Sequence, residues 1–141
     1  MASIKKAFTQ AYADMKRKGW DWIYIYVDLH STVIKPTYVH DDISINYYPL
    51  AKEALQMLSN RPDIRLVMYT CQNDKTCTRQ AQQFKLDDIH FDGINVNLET
   101  DPSEYADYSF KPYFNVLLED KAGFEPEEDW NEILDFYAPK V

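Results

Sequence analysis

The sequence predicts an α/β fold, a mostly parallel sheet with helices on both faces. The first observation behind this is the continuous apolar run Trp22-Ile23-Tyr24-Ile25-Tyr26-Val27, which has the length and the β-branched, aromatic content of a central strand covered on both sides. The second is that similar short runs recur after helical segments. A strand–helix–strand alternation calls for right-handed crossovers and parallel pairing. The third is bulk: 141 residues, 45% hydrophobic and 15% aromatic with three glycines, are enough for one core without a disulfide. A chain of this length buries roughly two-thirds of the surface it exposes when unfolded.

Residues 3 to 18 carry Ile4, Phe8, Tyr12 and Met15 at helical spacing, with Ser3 to cap the start and Gly19 to stop it. The strand over residues 22 to 28 follows and closes on Asp28. Residues 31 to 48 lack a helical period and contain Pro36, so a loop or small β flap is expected there. Pro49 opens a second helix to about Ser59, with Leu50, Ala54, Leu55 and Leu58 on one face. Asn60-Arg61-Pro62-Asp63 is turn chemistry, and Ile64 to Tyr69 is the second strand, ending at Thr70.

Asn73 or Asp74 caps a third helix to about Phe84, and a short strand lies near Ile94 to Asn97. Asp101-Pro102-Ser103-Glu104 reads as the start of a helix of one or two turns. Phe114 to Leu118 is the last strand and ends in Glu119-Asp120. A helix from Pro126 to about Tyr137 closes the chain, with Trp130, Ile133, Leu134 and Tyr137 as its buried stripe. There is no internal repeat and no linker, so residues 1–141 read as a single three-layer, Rossmann-like domain.

The net charge of −8 argues against steering toward a nucleic-acid backbone. The basic cluster Lys5, Lys6, Lys16, Arg17 and Lys18 reads as a solvated helix face. No apolar run approaches the roughly 20 residues that span a bilayer, and no secretory signal is expected because the first twenty residues are polar and amphipathic. A cytoplasmic, reducing setting is expected. Cys71 and Cys77 form no CxxC pair, which disfavours zinc.

In an open parallel sheet the functional crevice lies beyond the carboxyl ends of the strands. Three predicted strands end in groups suited to phosphate chemistry: Asp28, Thr70 and the pair Glu119-Asp120, with Lys111 just before the last strand. A carboxylate can attack phosphorus and split one difficult transfer into two easier ones. Mg²⁺ prefers hard oxygen ligands and is often held by one or two carboxylates. A lysine and a hydroxyl neutralise and position the phosphoryl oxygens.

These residues resemble the motifs of the haloacid dehalogenase (HAD) family. Val27-Asp28-Leu29-His30-Ser31-Thr32-Val33 resembles its first motif, Asp-x-Asp-Gly-Thr-Leu or Val after an apolar strand. Val67-Met68-Tyr69-Thr70 resembles the second, Lys111 the third, and Leu117-Leu118-Glu119-Asp120 the fourth. The resemblance spans about residues 22 to 125 in the family's order.

It implies a HAD-like phosphatase with Asp28 as nucleophile. Mg²⁺ would be held by Asp28, the main-chain carbonyl of His30 and Asp120, with Glu119 supporting from behind. Thr70 and Lys111 would bind the phosphoryl group, with Cys71 beside them. Two residues depart from the pattern: His30 replaces the acid–base aspartate, and Ser31 replaces the glycine after it. Histidine exchanges protons near neutrality, so a working variant is chemically reasonable.

The short segments between motifs imply a site with no large cap domain. Family members of that build act on large or exposed phosphorylated substrates or are completed by a partner subunit, and for this chain a small or exposed phosphorylated substrate is expected. The competing readings are a degenerate relative that binds metal, a phosphorylated ligand or a protein partner, and a response-regulator receiver, suggested by Lys111-Pro112. A receiver places its acidic pair before the phosphorylated aspartate, the reverse of the order here. The sixth residue after Cys71 is Cys77, not arginine, which rules out a Cys-x5-Arg phosphatase. The lack of GxxxxGK[ST] disfavours a P-loop kinase.

Overall fold

The computed structural model describes residues 3–35, 46–70, 74–95 and 114–139. The order is α1 (Ser3–Lys18), β1 (Ile23–Val27), α2 (Ala51–Ser59), β2 (Ile64–Met68), α3 (Asp74–Leu86), β3 (Gly93–Ile94), β4 (Val116–Leu118) and α4 (Asp129–Tyr137), with a 3₁₀ turn at Asp120–Ala122. Among the described residues four strands form one sheet in the order β3-β2-β1-β4, and every pair is parallel. β1 is therefore central, as its unbroken hydrophobicity requires. All five of its residues are buried.

Alternation along the strands divides the burial between two faces. Ile23, Ile25 and Val27 join Leu66, Met68, Val116 and Leu118 in a cluster with Phe8, Leu55, Leu58, Phe84, Trp130 and Ile133 from the helices. Tyr24 and Tyr26 point the other way and are buried too. The Tyr26 ring lies 5.7 Å from that of Tyr69 and 5.6 Å from that of Phe114. Both faces of the sheet are covered, giving the α/β layering that the sequence predicts. No helix among the described residues is long and apolar enough to cross a membrane.

At the amino edge of the sheet, Arg61 donates two hydrogen bonds to Asp63, at 2.9 and 3.0 Å. The Tyr12 hydroxyl donates to the same carboxylate at 2.9 Å and meets the Tyr137 hydroxyl at 2.7 Å. These contacts tie α1 and α4 to the start of β2.

Several boundaries move for local reasons. The second helix starts at Ala51, not Pro49, because Leu50 sits in the left-handed region at φ 66°. The last starts at Asp129, after a turn in which the Glu128 and Asp129 N–H groups donate to the Glu125 carbonyl at 3.0 and 2.7 Å. β4 begins at Val116 because Asn115 turns its side chain into the ladder and accepts from the Tyr24 N–H at 2.8 Å. The base of the expected flap is paired: Lys35 N–H donates to Asn46 O and Tyr48 N–H to Val33 O, both at 2.9 Å. The expected helix start at Asp101, the far end of the third strand and residues 36–45 of the flap lie outside the described residues.

Candidate metal and phosphate site

β1 and β4 are neighbours in register, so their carboxyl ends meet. The Asp28 N–H extends the ladder to the Leu118 carbonyl at 2.9 Å, which sets Asp28 beside the Glu119-Asp120 end of β4. Asp28, Glu119 and Asp120 each offer a carboxylate oxygen within 4.8 Å of the others. Glu119 thus stands within the cluster rather than behind it.

Past Asp28 the chain folds back sharply. The Leu29 carbonyl accepts from the N–H groups of Thr32, Val33 and Ile34 at 3.2, 2.8 and 3.0 Å. Ser31, at φ 66°, takes the left-handed conformation that glycine adopts without strain. The turn buries Leu29, Thr32, Val33 and Ile34 and leaves His30 and Ser31 facing a crevice.

Thr32 carries the geometry from the first strand to the last. Its buried hydroxyl accepts from the Asp120 N–H at 3.1 Å and donates to the Asp120 carboxylate at 3.4 Å. The Trp130 indole N–H in turn donates to the Thr32 carbonyl at 2.8 Å. Trp130 is fully buried and meets Phe124 edge-on at 4.8 Å. A core tryptophan on α4 therefore pins the turn that holds Asp120.

The crevice has a volume of about 850 Å³ and is lined by Asp28, His30, Thr70, Glu119 and Asp120, with Lys121 at the same mouth. Thr70 is set there because the Tyr69 N–H donates to the Val27 carbonyl at 2.8 Å, carrying the pairing one residue past the end of β2. Lys111 and Cys71 lie outside the described residues.

Burial is the main cause that pushes the Asp28 carboxyl up to about 6. The Leu29 N–H opposes the rise, while the charges of Glu119 and Asp120 and a hydrogen bond with Asp120 add to it. Three carboxylates held this close, with no sulfur or imidazole in the set, fit a hard divalent cation such as Mg²⁺.

Four lining or supporting residues escaped the sequence reading as site residues. Trp130 was visible only as core. Thr32 could be found only through its bond to Asp120, 88 positions away. Tyr69 is 41% exposed although it follows directly on a buried strand, and Asn95 reaches the crevice from the end of β3.

No family model matches the sequence, and no curated protein does. Among solved structures, a conserved protein from Bacteroides thetaiotaomicron is similar, with a TM-score of 0.62 and 22% identity over 81% of this chain and 88% of that one. At that identity the likeness speaks for the fold, and the chain shares an α/β parallel-sheet architecture with that protein.

Proposed function

We propose that the chain is a Mg²⁺-dependent, HAD-like phosphoric monoester hydrolase that works through an aspartyl-phosphate on Asp28. The observation that carries this reading is the convergence of Asp28, Glu119 and Asp120 within 4.8 Å at the carboxyl edge of a parallel sheet. In the first step a carboxylate oxygen of Asp28 bonds to phosphorus as the bond from phosphorus to the leaving oxygen breaks. The departing oxygen takes up a proton, for which His30 is the nearest candidate donor by sequence. In the second step water attacks phosphorus, and inorganic phosphate leaves with Asp28 restored.

Asp28, Glu119 and Asp120 would hold Mg²⁺, which when bound offsets their mutual repulsion and the charge on the phosphoryl oxygens. Thr70 binds those oxygens, and Lys111 or Lys121 balances their charge; Lys121 lines the crevice. The substrate is a small or exposed phosphate ester, and a reducing cytoplasm is the setting that suits it.

A second reading follows from His30. A site with imidazole in place of the acid–base carboxylate binds metal and a phosphorylated ligand or partner but turns over slowly. Hydrolysis of 4-nitrophenyl phosphate with Mg²⁺ by wild type, Asp28→Asn and His30→Asp separates the two. Turnover by wild type that is lost in Asp28→Asn supports the hydrolase. An inert wild type activated by His30→Asp supports the degenerate site. Activity that persists in Asp28→Asn refutes the nucleophile.

A further inference from the structure

Asn95 is held unusually firmly for a residue just beyond a two-residue strand. Its backbone lies in the left-handed region at φ 59°, and its N–H donates to the Met68 carbonyl at 2.6 Å. Its side-chain oxygen accepts from the Thr70 N–H at 2.7 Å. An N–H can only donate, so the amide orientation is fixed by chemistry: oxygen toward Thr70, nitrogen away from it. The Nδ2 group has no hydrogen-bond partner among the described residues, and Asn95 lines the same crevice as Asp28 and Thr70.

We infer that Asn95 is a phosphoryl-binding residue, donating from Nδ2 to an anionic oxygen of the ligand. This rests on the phosphate-site reading and adds to it a neutral donor contributed by the third strand. Its position follows from the sheet. β3 pairs with β2 in parallel, with Met68 opposite Ile94, so the residues that follow each strand emerge side by side. The tether to the Thr70 backbone joins the two donors into one unit, so both are oriented before the anion arrives. Donors fixed in advance toward a charged oxygen contribute more than donors that must reorganise.

The alternative is that Asn95 only positions the Thr70 backbone, and two substitutions separate the roles. Asn95→Asp keeps an oxygen to accept from Thr70 and tolerates the left-handed backbone, but it removes the donor. Asn95→Gly tolerates the backbone and removes both functions without adding charge. The measurement is inorganic phosphate affinity by calorimetry at saturating Mg²⁺, with circular dichroism to confirm the fold.

Both variants are expected to bind phosphate about tenfold more weakly or worse, the loss that follows removal of a hydrogen bond to a charged group. Retained affinity in Asn95→Asp refutes the donor role and leaves Asn95 as a positioning residue. Retained affinity in Asn95→Gly with loss in Asn95→Asp reduces the effect to charge repulsion and also refutes it. A wild type that binds Mg²⁺ but no phosphate overturns the phosphate site itself, and the Asn95 assignment falls with it.

Discussion

Asp28→Asn should stabilise the metal-free protein while destroying its metal site. Without a cation, Asp28 is a partly buried carboxylate facing Glu119 and Asp120, with its pKa raised to about 6. An unfolded aspartate titrates at about 3.9. The fold therefore holds the Asp28 proton more tightly than the unfolded chain does. Above pH ~6 the ionised fold carries the full penalty, and the penalty is relieved as pH falls from ~6 toward ~4. At 1.36 kcal/mol per pH decade, two decades correspond to about 3 kcal/mol. Asp28 is partly open to water, and screening reduces this to about 1–2 kcal/mol.

Asparagine removes the charge and can keep the contacts with the Leu29 N–H, from which its oxygen accepts, and with Asp120, to which its amide donates. In EDTA at pH 8, urea unfolding should give Asp28→Asn a stability about 1–2 kcal/mol above wild type, and the difference should vanish near pH 4. Adding Mg²⁺ should reverse the order. Only the wild type gains from a bound cation, by about 2.7 kcal/mol at a hundredfold excess over the dissociation constant. Wild-type Mg²⁺ affinity should weaken as pH falls through about 6. An Asp28→Asn protein that is less stable than wild type in EDTA at pH 8 would refute the argument that burial, with the neighbouring carboxylates, penalises the ionised Asp28.

Thr32→Val keeps the shape of a buried side chain but removes both bonds to Asp120, so Mg²⁺ affinity should fall about tenfold or more, with Thr32→Ser restoring it; calorimetry reads both. Ser31→Gly relieves a left-handed backbone worth about 1–2 kcal/mol against the ~0.5–1 kcal/mol that glycine loses in chain entropy. The net gain of about 0.5–1 kcal/mol should appear as a higher urea midpoint with an unchanged slope.

The elements that sequence reading placed well are those whose burial is uniform or periodic. α1 runs from Ser3 to Lys18 as the spacing of Ile4 and Phe8 and the position of Gly19 require. β1 is recognisable as central because a strand covered on both faces cannot alternate. Asp28, Glu119 and Asp120 could be brought to one edge on paper, because parallel pairing alone forces strand carboxyl ends together. The parts that sequence did not reveal depend on single side chains standing in for backbone. Asn115 takes over a ladder bond of Tyr24, and Asn95 takes the N–H of Thr70. No period records such substitutions. Trp130 fits a helix stripe, yet its bond to the Thr32 carbonyl crosses 98 positions.

That last contact bears on how the site persists. Three carboxylates within 4.8 Å repel one another, and a loosely held acidic end of β4 would swing outward and relax. Asp120 is kept from doing so by a hydroxyl that accepts from its N–H and donates to its carboxylate, and that hydroxyl belongs to a residue with no exposed surface. Displacing it would require moving the Thr32 carbonyl off the Trp130 indole and opening the packing of Phe124 on that ring. Loss of a buried tryptophan typically costs about 3–5 kcal/mol, more than the ~1–2 kcal/mol that the ionised Asp28 would recover by opening to water and away from its neighbours. The core thus holds the three acids together, in the arrangement that the proposed Mg²⁺ site would use.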